Sequence, residues 1–105
     1  MTLEPRAPLD CTTMDELRRE IDRVDTALFD LFAERMGYIR RAPAIKAPSG
    51  IPADVPERVK AVVDNARSHA EARGLDPDLY GEFWEKIVAR AIATEEDMLR
   101  SDGQD

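Results

Sequence analysis

Apolar residues recur through the first half of the chain at Leu17, Ile21, Val24, Leu28, Leu31, Tyr38, Ala42 and Ile45. The steps alternate between four and three, the mark of one helical face, and Arg35 takes the seam position between Leu31 and Tyr38. The stripe predicts a helix of about 30 residues, roughly 45 Å at 1.5 Å per residue. Thr13-Met14-Asp15-Glu16 opens it in the form of a capping box, hydroxyl and carboxylate satisfying free N–H groups. Pro43 removes one helical donor and is expected to kink or fray the last turns. So long a helix is too large for a chain of 105 residues to wrap, which favours a partner chain.

Ala47-Pro48-Ser49-Gly50-Ile51-Pro52 is a loop by composition. Pro56 suits the first turn of a second helix reaching Arg73, with Gly74 as its stop. Asp76-Pro77 supplies an N-cap and a first-turn proline for a third helix to about Arg100. Tyr80, Trp84, Val88, Ala91 and Met98 share one face of it. No strand-like alternation, internal repeat or low-complexity tract interrupts this pattern. The fold class is therefore all-α, three helices in the order long, short, long. An N-terminal arm (1–12) carries Pro5 and Pro8, a helical domain spans 13–101, and a tail covers 102–105.

Charge narrows the partners. Twenty-two acidic residues against fifteen Lys and Arg leave a net charge of −7, and no basic block exceeds two residues. A nucleic-acid surface would need a positive stripe, so that class is set aside. An anionic small molecule stays open, because a few cations focused in one pocket outweigh the net charge. No apolar run approaches a membrane span and nothing resembles an apolar signal segment, so a cytoplasmic, non-membrane protein is expected. Cys11 is the lone cysteine and reads as a bystander. His69, beside Ser68 and Glu71, reads as an exposed helix residue, and Trp84 as core or interface. With no metal-ligand spacing, glycine-rich phosphate loop or nucleophile elbow, neither a metal nor a cofactor is expected.

The residues that break the stripes carry the chemistry. Arg35 lies in the seam of the first helix, and Glu95 falls on the apolar face of the third, between Ala91 and Met98. Each either reaches water at the stripe's edge or meets a partner inside. Lys46 follows Arg35 at a spacing that puts both within about 20° of one helical line and about 16 Å apart. Two such cations suit a small dianion held between them. Arg18 lies about 25 Å before Arg35 along a straight helix, too far to serve the same pocket. From an antiparallel partner helix it reaches that pocket, and a two-fold dimer then carries two equal sites.

Leu17-Arg18-x-x-Ile21-Asp22-x-x-Asp25, followed by Arg35 and then Lys46, resembles the all-helical chorismate mutases. Asp10-Cys11-Thr12, Arg35-Met36-x-Tyr38, Ile51-Pro52, Pro56-Glu57-Arg58 and Gly74-Leu75-Asp76 look like a subgroup that includes isochorismate-pyruvate lyase. The match covers roughly residues 10–100. The resemblance implies two intertwined three-helix chains with the first helix paired across a homodimer. It implies a pericyclic rearrangement of chorismate to prephenate, without covalent intermediate, metal or cofactor. Arg18 of one subunit and Arg35 of the other would then bind the two carboxylates, and Lys46 would donate to the ether oxygen and a carboxylate. Glu57 would accept from the ring hydroxyl, and Glu95 matches the position that donates to the ether oxygen from the other side. Many members carry glutamine where this chain has Glu95, so a rate that falls as pH rises is expected here. Some carry arginine at the position of Pro56, a charge for which Arg58 is the candidate replacement, and some carry serine at the position of Ala91.

Two other readings stand beside the mutase. An isochorismate-pyruvate lyase uses nearly the same cationic pocket, and Glu95 tilts the balance towards the mutase. A catalytically silent helical dimerisation module explains the stripes but leaves the Arg18, Arg35 and Lys46 spacing as coincidence.

Overall fold

A computed structural model describes residues 4–102. Within them every regular element is helical: a 3-10 turn at Pro8–Asp10, α1 at Met14–Lys46, a 3-10 turn at Ala47–Ser49, α2 at Pro56–Ala72 and α3 at Pro77–Asp102. The order long, short, long is as the apolar spacing predicts. Residues 103–105 of the expected tail, and 1–3 of the arm, lie outside the described residues. The chain divides into two compact units, one ending at Arg35 and the other beginning at Met36.

The first unit holds the arm and the first two-thirds of α1. Thr13 caps the helix, its hydroxyl accepting from the Glu16 N–H at 3.1 Å. The Glu16 carboxylate does not reach back to the backbone as a full capping box requires. Its Oε1 accepts from the Thr12 and Thr13 hydroxyls at 2.9 and 3.2 Å, and its Oε2 pairs with the Arg6 guanidinium. The Arg6 N–H donates to Glu20 Oε1 at 2.8 Å, so the arm is tied to two successive turns of α1. Beyond that tie every residue from 21 to 30 is exposed, including Ile21, Val24 and Leu28 of the stripe, and Leu31 is 61% exposed. The apolar face is formed and uncovered.

In the second unit α1 runs on to its end. Pro43 does not fray its last turn: the helix continues to Lys46, and the Pro43 ring is fully buried. The missing donor costs one helical bond, and burial of the ring counts on the other side. Both loops of this unit close on a glycine in the left-handed region, Gly50 at φ 68° and Gly74 at φ 70°. After α1 the Ile51 N–H donates to Lys46 O and the Gly50 N–H to Ala47 O, both at 3.1 Å. After α2 the Leu75 N–H donates to Ala70 O at 2.8 Å and the Gly74 N–H to Glu71 O at 3.2 Å. Each is a Schellman motif, which satisfies the last helical carbonyls and reverses the chain. Asp76 then caps α3, its Oδ1 accepting from the Asp78 and Leu79 N–H groups.

The helices α2 and α3 pack on each other through small residues. Val63, Ala66 and Ala70 are buried on α2, and Gly81, Val88 and Ala91 on α3. Side chains of that size let two helices approach closely. At Gly81 the gap is filled by Arg67, whose Nε lies 2.4 Å from where a Cβ would sit, and Arg67 goes on to pair with Glu85 at 3.4 Å. No described helix is long and apolar enough to cross a membrane.

Candidate functional site

The face of α3 built by Val88 and Ala91 continues one turn on to Glu95, which is 4% exposed. Glu95 is thus buried and does not reach water from the stripe's edge. Opposite it stands Lys46, the last residue of α1, with Nζ 3.2 Å from Glu95 Oε1. The same ammonium donates to Ala53 O, also at 3.2 Å, in the loop that leads into α2. Lys46 keeps 23% of its side chain exposed, so this cation faces protein on two sides and retains an opening.

Glu95 Oε1 is sealed from solvent and has no hydrogen-bond partner among the described residues, although the Lys46 charge lies within ion-pair distance. Buried polar atoms are nearly always satisfied by a partner in the protein or by bound water, so an unsatisfied one calls for an explanation, a catalytic role among them. The partly open Lys46 ammonium can engage a small anionic or polar ligand from its exposed side, with the buried Glu95 carboxyl beside it. Among the described residues no group of His, Cys, Asp and Glu is arranged to hold a metal ion.

The remaining site residues of the sequence pattern fall into two groups. Arg18 and Arg35 belong to the first unit, both on α1, Arg18 exposed and Arg35 half-buried. Glu57 and Arg58 lie in the first turn of α2, both exposed. Among the described residues neither is paired with Lys46 or Glu95. The structure therefore brings Lys46 and Glu95 together within the chain. Ala53 and Gly50 escape a sequence reading of the site, because Ala53 acts through a backbone carbonyl that no side-chain pattern advertises. The usable signal was Gly50, a glycine four residues beyond a candidate lysine at a helix end.

Residues 17–96 match the family described as chorismate mutase type II. Isochorismate pyruvate lyase of Pseudomonas aeruginosa is 35% identical over 89 residues, which is 84% of this chain and 86% of that protein. The T-protein of Enterobacter agglomerans is 36% identical over 81 residues, 77% of this chain but 22% of that protein, so the chain spans about a fifth of its length. The chorismate mutase of Methanocaldococcus jannaschii is 27% identical over 84 residues, 80% of this chain and 85% of that protein. With the family model matched over most of the chain, the chain belongs to the type II chorismate mutase family.

Proposed function

We propose that the protein is a cytoplasmic chorismate mutase that converts chorismate to prephenate as a homodimer. The observation that carries this reading is the Lys46–Glu95 pair. A buried carboxyl oxygen without a hydrogen bond lies 3.2 Å from an ammonium that remains partly open, on the two helices where the resemblance places donors to the substrate's ether oxygen. The reaction is a unimolecular rearrangement, so the protein's work is to hold a flexible dicarboxylate in its reactive shape and stabilise charge on the breaking ether bond. Lys46 donates to the ether oxygen and to a carboxylate, and Glu95, when protonated, donates from the other side. Arg35 binds one carboxylate, and Arg18 of a partner copy binds the other. Glu57 accepts from the ring hydroxyl, and Arg58 adds charge at the start of α2. The exposed α1 stripe of Ile21, Val24, Leu28 and Leu31 supports the dimer, since burying each side chain is worth about 1.5–3 kcal/mol.

The test is to incubate the purified protein with chorismate and, separately, with isochorismate, and to identify the products. Prephenate from chorismate is expected. Salicylate and pyruvate from isochorismate, with little prephenate, would move the protein to the lyase. That second reading is supported by the Pseudomonas aeruginosa lyase, whose similarity runs over 86% of that protein. Consumption of neither substrate would favour a silent dimerisation module. Arg35→Ala separates the classes in the same assay, because it abolishes turnover under either enzyme reading.

A further inference from the structure

Lys46 is held at both of its ends by one loop. Its backbone carbonyl accepts from the Ile51 N–H at 3.1 Å, and its ammonium donates to Ala53 O at 3.2 Å. Between the two anchors stands Gly50, at φ 68° and ψ 18°. The left-handed turn there sends the chain back over the end of α1, and the return brings the Ala53 carbonyl to Nζ. Ala53 is itself 7% exposed, so this acceptor is fixed in the core and not free to wander in a surface loop.

The geometry assigns Gly50 and Ala53 as positioning residues for Lys46. The turn at Gly50 sets where the Ala53 carbonyl stands, and that carbonyl together with Glu95 selects one rotamer of a side chain that is otherwise among the most flexible in proteins. A lysine already aimed at its ligand loses less freedom when the ligand arrives, which strengthens binding without adding a contact. The inference rests on the reading of Lys46 as a substrate-binding cation.

Gly50 offers a clean handle, because a Cβ added there meets nothing within 4 Å. Any effect of Gly50→Ala then comes from the positive φ and not from a clash of the added Cβ. Asparagine tolerates that conformation and a β-branched residue does not. The experiment compares Gly50→Asn, Gly50→Ala and Gly50→Val with Lys46→Met in the full chain. It measures chorismate turnover, the thermal midpoint and the Lys46 side-chain NMR signal, identified by its loss in Lys46→Met. Gly50→Val is expected to raise KM about tenfold and to move the Lys46 signal towards that of a solvent-exposed lysine. Gly50→Ala should follow in the same direction, and Gly50→Asn should keep KM within about threefold of the parent with the Lys46 signal in place. A Lys46 signal and KM unchanged in both Gly50→Ala and Gly50→Val overturn the assignment, and so does a loss in all three variants that merely tracks the thermal midpoint. If Lys46→Met turns over chorismate as the parent does, the reading of Lys46 itself fails, while the NMR comparison still reports whether the turn holds the side chain.

Discussion

Lys46 at the end of α1 and Glu95 on α3 meet at 3.2 Å, the first partly open and the second buried. A carboxyl group at 95 donates a hydrogen bond only when protonated, whereas a carboxamide of the same shape donates at every pH. If Glu95 donates to the substrate, the parent's rate falls as pH rises. Glu95→Gln should flatten that profile and exceed the parent at the alkaline end. Steady-state rates from mildly acidic to mildly alkaline pH make the comparison. A flat profile in the parent would remove Glu95 from the donor role.

Two glycines are expected to respond to the same substitution with opposite sign. Gly37 lies inside α1 with ordinary helical φ, and an added Cβ there meets nothing within 4 Å. Gly37→Ala should therefore stabilise by about 0.5–1 kcal/mol through helix propensity and lost freedom in the unfolded chain. Gly74 holds φ 70° in the turn between α2 and α3, equally uncrowded. Gly74→Ala should destabilise by about 1–2 kcal/mol, the cost of forcing a side chain into that region. Denaturant midpoints at constant m-value read both.

The helices were legible from spacing because burial and period coincide: Val88, Ala91 and the half-buried Trp84 lie on the predicted face of α3. Gly74 and Asp76 mark their boundaries through backbone conformation and capping, which sequence states directly. Propensity weighs the donor that Pro43 lacks and predicts frayed last turns, but it does not weigh burial, and α1 continues through the buried ring to Lys46. Glu95 was ambiguous for a related reason. Periodicity places a residue on a face, but whether that face is covered at that height depends on where α1 ends and which residue it ends with. The Ala53 contact was invisible, since it depends on a chain reversal and a carbonyl.

The arm's attachment to α1 should depend on pH. The Arg6 N–H, by donating to Glu20, and then Arg23 hold the Glu20 carboxyl below its ordinary value of 4.5 in the folded protein. A folded-state value below the unfolded one contributes stability that is present above the unfolded value and is lost as pH falls through the folded one. Glu20→Gln should lower the thermal midpoint at neutral pH, and the difference from the parent should shrink as pH drops below 4.5. An equal difference at neutral pH and near pH 2 would show that the carboxylate's charge does not secure the arm.

Leu31, 61% exposed on the α1 stripe, is a direct probe of the proposed dimer. In a two-fold interface one substitution acts twice. If the proposed two-fold interface covers the stripe, Leu31→Glu takes two leucines out of it and adds two charges, which should raise the dimer dissociation constant by about 100-fold or more. Light scattering across a dilution series reads the shift. Asp30→Asn, a neighbouring exposed position off the stripe, should leave the dissociation constant unchanged. Equal dissociation of both variants would detach the stripe from assembly.

Whether Arg18 serves a site on its own chain or on its partner can be decided by mixing two inactive proteins. Arg18→Ala and Arg35→Ala should each abolish turnover as a homodimer. Unfolded together in equal amounts and refolded, half of the dimers contain one chain of each kind. If Arg18 crosses the interface, one site of each mixed dimer receives an intact Arg18 from one chain and an intact Arg35 from the other. The second site lacks both. Activity should then return to about a quarter of the parent's, one intact site in two across half of the dimers. If both arginines serve a site within one chain, every site in the mixture lacks one of them and activity stays at zero. Recovery would therefore establish both the assembly and the direction in which α1 pairs, since only an antiparallel partner brings Arg18 to the level of Arg35.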